Sequence, residues 1–171
     1  MYSSGDLEYF YNIVRLFKPK RIIEIGSGNS KLMVINAIRE NKKEHTEYHC
    51  RHICVEPFEQ PWLEKVDVEL KKNKVEELDL SFFNILEEDD ILFIDSSHVI
   101  RPQGDVLFEI LEILPMLNSG VIIHIHDIFT SKDYPDEWIY HDKKLWNKQY
   151  LPTVILFFNA NLGDYFIFLV N

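Results

Sequence analysis

Hydrophobic positions along the chain recur with two periods, and the switching between them sketches an order of elements. Leu7, Phe10, Tyr11, Val14 and Phe17 fall three or four residues apart, which predicts an amphipathic helix over residues 5–17. Lys18-Pro19-Lys20 ends it, because the residue before a proline is pushed out of helical geometry. Arg21-Ile22-Ile23-Glu24-Ile25 predicts a first strand. Gly26-Ser27-Gly28-Asn29-Ser30 is then a turn in which Asn29 or Ser30 caps a second helix carrying Leu32, Ile35 and Ile38. After a polar stretch, Ile53-Cys54-Val55-Glu56 predicts a second strand, closed by Pro57.

The middle is less sharply patterned. Residues 66–70 alternate as a strand does, and residues 78–86 suggest a short helix. Ile91-Leu92-Phe93-Ile94-Asp95 is a continuous apolar run ending on an acid, as expected of a strand buried on both faces. Val106, Ile110, Ile113 and Leu117 mark a helix between Pro102 and Asn118, and residues 121–127 form the next strand. Residues 128–150 are aromatic and charged and predict a loop and a helix. Two β-rich runs, 153–158 and 165–170, flank a polar turn and predict a terminal antiparallel hairpin. Strands alternating with helices predict an α/β fold: a Rossmann-like, doubly wound, mainly parallel sheet with helices on both faces, as one domain over residues 1–171.

Composition narrows the function classes. The 46% hydrophobic content is enough to cover both faces of such a sheet. No apolar run approaches the roughly 18 residues that span a bilayer, so no membrane partner is expected. Residues 1–6 show neither a basic patch nor an apolar core of a secretory signal, so the expectation is a cytoplasmic protein. A net charge of −10 disfavours nucleic acid, whose phosphates call for a Lys and Arg excess. Cys50 and Cys54 have no second pair to complete a zinc knuckle, and they read as reduced thiols on a packed strand.

In open parallel sheets, ligands sit beyond the carboxyl ends of the strands. That rule selects Glu24 to Ser30, Glu56, Asp95 and His126-Asp127. Gly26 and Gly28 permit a tight turn and close backbone approach to a ligand, while Lys31 stands where a dinucleotide fingerprint has its third glycine. Glu24 lies where a buried acid needs a reason: it accepts from a ligand ammonium group or from the turn's own amides. Glu56 is placed to accept from two ribose hydroxyls.

On these residues the chain resembles class I S-adenosylmethionine-dependent methyltransferases. Residues 23–30 look like the family's acid-x-Gly-x-Gly motif, and Val55-Glu56-Pro57 looks like its ribose-binding acid. Phe93-Ile94-Asp95-Ser96-Ser97-His98 and His124-Ile125-His126-Asp127 resemble a branch of small bacterial enzymes, some acting on sugar or other hydroxyl groups. The resemblance implies that Glu24, Gly26 and Gly28, with Ser27, Ser30 and Asp95, surround the cofactor, that Glu56 holds its ribose, and that Val75 and Glu76 border its adenine.

The reaction centre is expected where Asp95, His98, His126 and Asp127 converge after the fourth and fifth strands. The pattern resembles metal-dependent O-methyltransferases, with Asp95, His126 and Asp127 as ligands for magnesium or manganese. His126 departs from that pattern, so the residues suit either a softer transition metal or no metal. His98 is the candidate general base, with Asp95 and Asp127 beside it. His124 is expected in a hydrogen-bonded core role. Trp138 is the candidate lid, and Trp146 and Tyr150 are expected to pack on the sheet. The expected partner is a small hydroxylated metabolite, and a homodimer would supply a missing pocket wall. Two alternatives are a catalytically silent S-adenosylmethionine-binding module and a nicotinamide-dependent oxidoreductase.

Overall fold

A computed structural model of the chain describes residues 4–26, 30–58, 62, 65–129, 132–158 and 166–170. In chain order it contains α1 (Ser4–Phe17), β1 (Arg21–Ile25), α2 (Ser30–Glu44), β2 (Arg51–Val55), β3 (Glu69–Lys71), β4 (Ile91–Ile94), α3 (Asp105–Phe108), β5 (Ile122–His126), α4 (Tyr150–Phe158) and β6 (Phe166–Val170). The strands form one sheet in the order β3-β2-β1-β4-β5-β6. Each described pairing is parallel, with Ile23 opposite both Ile53 and Leu92. This is the expected Rossmann-like α/β architecture.

Strand periodicity sorts the core into two layers. Ile22, Ile91, Phe93 and Ile122 face α1 and α2, where Phe10, Ile13, Val14, Val34 and Ala37 close over them. Phe10 stacks on Phe93 with ring centroids 4.5 Å apart. Each such buried side chain contributes about 1.5–3 kcal/mol relative to exposure. Asn41 pins the two helices together: it donates to the Val14 carbonyl at 2.9 Å and accepts from Arg15 at 2.7 Å. On the opposite face, Ile23, Ile25, Val55, Leu92, Ile94, Ile123 and Ile125 meet Val106, Ile110, Ile113 and Leu117.

The short helix expected over 78–86 is present as 3₁₀ turns, Leu80–Ile85. Two expectations are corrected. The helix expected after Pro102 is broken: α3 passes into a π turn, Glu109–Ile113, and then a 3₁₀ turn, Leu114–Met116. Pro115 has no N–H to continue the α ladder, which accounts for the change of winding. The terminal antiparallel hairpin does not form. Residues 153–158 belong to α4, and β6 lies parallel to β5. The Thr153 hydroxyl donates back to the Gln149 carbonyl at 2.7 Å, the side-chain bond that helical threonines make, and Pro152 falls in the first turn, where its missing N–H costs little. A short apolar run has no periodicity that separates a buried helix from a strand. With a helix between them, β5 and β6 are joined by a crossover and therefore run the same way.

Candidate active site

The strand order reverses direction between β1 and β4, and a cleft of about 360 Å³ opens at their carboxyl ends. Ile25, Gly26, Val55 and Glu56 form its floor and one wall. Pro57, Phe58, Val75 and Glu76 form the outer wall, with Asp95, Ser96 and Ser97 opposite. Gly26 has φ +87°, and a Cβ there would lie 1.9 Å from the Asp95 carbonyl oxygen. The turn after β1 therefore passes against the end of β4, held by the Gly26 N–H to Val55 O (3.1 Å) and the Asp95 N–H to Ile25 O (2.8 Å).

Glu56 lies on the cleft wall and accepts from the Phe58 N–H at 3.0 Å. Val75 and Glu76 line the same cleft. An acid at the tip of the second strand, between the apolar walls of Val55, Pro57 and Val75, fits an adenosine-like group. Ser27 and Gly28 lie outside the described residues.

Glu24 and Ser30 are placed differently from expectation. Both point to the α1–α2 side, behind the turn. Glu24 is fully buried, 2.5 Å from His52 Nε2, and accepts from Ser30 Oγ at 3.1 Å. Burial pushes its carboxyl up, but His52, Lys31 and Ser30 outweigh this and hold it below the usual range. Lys31 Nζ donates to the Gly26 carbonyl at 3.1 Å. Glu24 thus braces the turn from within instead of lining the cleft. Cys54 shares this buried group, and both cysteines are free thiols.

At the ends of β4 and β5, four of the expected residues do converge. His98 Nε2 is 3.4 Å from Asp95 Oδ1 and 3.7 Å from Asp127 Oδ2. His126 Nδ1 is 3.1 Å from Asp127 Oδ2 and 3.7 Å from Asp95 Oδ1. His98 and Asp127 have φ of +61° and +57°, the left-handed region that non-glycine residues enter at some cost and that clusters at functional sites. The three-way set of potential metal ligands here is Asp95, His98 and Asp127, so His98 takes the place expected for His126.

Two aromatic expectations also change. His124 is buried among Phe10, Phe93 and Tyr9, and neither ring nitrogen has a hydrogen-bond partner among the described residues. The residue covering the site is Trp146, whose ring lies 4.1 Å from that of His98. Trp138 stands behind it, edge-on to Trp146 at 5.1 Å, with Lys144 Nζ 3.7 Å from its ring centre.

Sequence reasoning missed two fully buried charged residues beside the cluster, Glu109 and Lys148. Glu109, at the start of the π turn, accepts from Ser96 Oγ at 2.8 Å. Burial pushes its carboxyl up to about 8. Asn147 and Lys148 both donate backbone N–H groups to the His98 carbonyl at 3.1 Å, which docks this segment on the loop after β4. Lysine is seldom fully buried, so nothing in its local sequence marked it.

A larger cleft, about 510 Å³, lies at the opposite edge of the sheet against α2, lined by Arg39, Lys42, Tyr48, Arg51 and Glu69. His49, Cys50, His52 and Asp67 line it too, but burial pushes the Cys50 thiol up to about 12, out of reach of ready ionisation. The expected site residues lie instead at the carboxyl ends of β1, β2, β4 and β5.

Comparison with known proteins identifies the family. A family described as a methyltransferase domain matches residues 23–128, a span that runs from within β1 to just past β5 and holds all four residues of the cluster. An uncharacterised protein of Archaeoglobus fulgidus is 36% identical over 90 residues, covering 50% of this chain and 38% of that protein's length. The chain therefore aligns with well under half of that relative. Among solved structures, the SAH-bound methyltransferase PaMTH1 of Podospora anserina is similar at 22% identity and a TM-score of 0.47, over 72% of this chain and 52% of that one.

Proposed function

Because this chain belongs to the methyltransferase domain family, we propose that it transfers a methyl group from S-adenosylmethionine to a hydroxyl of a small metabolite such as a sugar. The observation that carries the reading is the meeting of the Asp95–His98–Asp127 cluster with the Glu56 cleft, joined through Asp95, which belongs to both.

When bound, S-adenosylmethionine supplies a methyl group activated on a sulfonium. Glu56 accepts from the ribose hydroxyls, and Pro57 and Val75 flank the adenine. Gly26 gives the cofactor's amino-acid end room along the turn. The bound cofactor would supply the methyl group to an acceptor hydroxyl held over Asp95 and His98, the C–S bond breaking as the C–O bond forms, and His98 Nε2 would take the hydroxyl proton. Asp95 and Asp127 stand where they stabilise the resulting imidazolium. Their present distances, 3.4 and 3.7 Å, are of the loose kind that tightens when substrate binds. Burial, then the Lys148 charge, holds His98 down to about 3, so its ring is neutral but weakly basic, and it gains basicity only as Asp95 and Asp127 close on it. Trp146 excludes water from this ring. No step is assigned to a metal.

The test is calorimetric titration with S-adenosylmethionine, paired with release of S-adenosylhomocysteine over a panel of hydroxylated acceptors. Binding that is lost in Glu56→Ala, with turnover on a hydroxylated acceptor, is the expected result. Absence of S-adenosylmethionine binding to the unaltered chain would overturn the reading.

A further inference from the structure

A histidine that takes a proton on one ring nitrogen is ordinarily oriented by a partner on the other. His98 lacks that partner. Its Nδ1 is buried with no hydrogen bond among the described residues. Its Nε2 has only the loose approaches to Asp95 and Asp127, at 3.4 and 3.7 Å. The direction of the ring is therefore set by the backbone that carries it and by the Trp146 ring over it, 4.1 Å away.

That backbone is held from two sides. On one side, buried Asp105 in α3 accepts from the Ser97 N–H at 2.8 Å and from Ser97 Oγ at 2.7 Å, one oxygen for each. The Arg101 guanidinium, 3.4 Å from Asp105 Oδ1, balances its charge. On the other side, Asn147 brackets Val99. Its N–H donates to the His98 carbonyl at 3.1 Å, and its Oδ1 accepts from the Ile100 N–H at 2.6 Å. Left-handed backbone at a non-glycine residue persists only where the surroundings over-determine it. His98, with φ +61°, lies between these two sets of bonds.

We propose that Asp105 and Asn147 are positioning residues for His98: together they fix the loop after β4 so that the ring stands between Asp95 and Asp127. Asn147 also adjoins Trp146, so the residue that pins the loop seats the indole over the ring. The bearing on turnover rests on the methyl-transfer reading; the placement of the ring does not.

The test is the His98 ring signal in ¹H–¹³C spectra of histidine-labelled protein at about pH 8.5, where ordinary histidines are neutral. Its loss in His98→Ala identifies it among the seven histidines. In the unaltered chain it should stand apart from the signals of exposed His45 and His141, displaced by the Trp146 ring current. Asn147→Ala should move it toward them. Asn147→Asp keeps an acceptor for the Ile100 N–H and should bring it back. Asp105→Asn offers one acceptor oxygen where Asp105 uses two, and should move it as Asn147→Ala does. An unmoved signal in Asn147→Ala or in Asp105→Asn would overturn the proposal, and so would a displacement that Asn147→Asp fails to reverse. If either variant does not fold, Ser97→Ala, which removes only the hydroxyl bond to Asp105, decides by the same signal. Steady-state kinetics on an acceptor that turns over gives a second readout. In Asn147→Ala, kcat should fall by up to about a hundredfold, as for a misplaced group, with the KM for S-adenosylmethionine little changed. An unchanged kcat with the ring displaced would overturn the positioning role. Failure of the unaltered chain to bind S-adenosylmethionine would defeat the methyl-transfer reading alone, because the ring signal is read without cofactor or acceptor.

Discussion

The two halves of the site lie at the same end of the same sheet and are built on opposite terms. On the β1–β2 side most buried polar groups satisfy one another: Glu24 with His52 and Ser30, Lys31 with the Gly26 carbonyl, Glu56 with the Phe58 N–H, although His52 Nδ1 has no hydrogen-bond partner among the described residues. On the β4–β5 side they do not. His98 Nδ1, Glu109 Oε1 and Lys148 Nζ are buried without a hydrogen-bond partner among the described residues, and His98 and Asp127 sit in left-handed backbone geometry. Satisfied polar groups rigidify a structure, and unsatisfied ones cost stability unless a ligand or a reaction uses them. The first side therefore reads as a preformed cradle and the second as the place where chemistry occurs.

The sharpest way to break this contrast is His98→Ala. If the β4–β5 side carries the reaction, turnover should fall by about 10²–10⁴, the usual contribution of a general base. S-adenosylmethionine affinity should change little, because His98 does not line the cleft. Steady-state kinetics beside a binding titration separates the two. Equal loss of both would mean that the halves are one unit.

Gly26→Ala attacks the cradle. Its Cβ would meet the Asp95 carbonyl at 1.9 Å, from a backbone φ of +87°. Strain and overpacking together predict a loss of roughly 2–5 kcal/mol in denaturant unfolding. Glu24→Gln should be milder, about 1–3 kcal/mol, because it loosens the bonds to His52 and Ser30 without a steric clash. If Glu24 braces the turn from behind, the variant should lose stability and still bind S-adenosylmethionine. Loss of cofactor affinity with stability intact would restore a direct cofactor contact for Glu24.

The same contrast explains how much could be read from the chain alone. The β1 to β5 order was legible because each strand is a strongly apolar run bounded by Gly, Pro or charge. The ends of those strands were legible because the fold brings ligands there, which is how Glu56, Asp95, His98 and Asp127 were found. The direction Glu24 faces was not legible: strand alternation puts it on the opposite face from Ile25, but only packing shows His52 waiting across from it. Glu109 and Lys148 were invisible for a related reason. Both sit in segments whose local pattern permits solvent exposure, and tertiary contacts, such as the docking of residues 147–148 on the His98 carbonyl and the Ser96 bond to Glu109, fix their place. The final hairpin failed where an apolar run, 153–158, had no period to distinguish helix from strand.

The smallest effect expected near neutral pH, and the finest probe of the unsatisfied side, comes from His124→Phe. His124 is held down to about 3, chiefly by burial and then by His126, against 6.5 in the unfolded chain. Between those values the unfolded chain binds a proton that the native chain does not, so stability falls as pH drops below 6.5 and keeps falling toward 3. His98 adds a second contribution of the same sign. Glu109 works in the opposite sense: its native carboxyl, pushed up to about 8, keeps a proton that the unfolded chain releases above 4.5, so stability declines as pH rises through that window. Near pH 7 the Phe ring fits the aromatic surroundings of Phe10 and Phe93 and removes two unpaired nitrogens, a gain of up to about 1 kcal/mol. Toward pH 5 the gain should grow by up to about 1.4 kcal/mol per pH unit, as one of the two histidine contributions disappears. Unfolding curves at pH 7, 6 and 5 measure this directly. A constant difference between variant and unaltered chain would show that His124 keeps its proton in the folded protein, and that burial on this side is compensated after all.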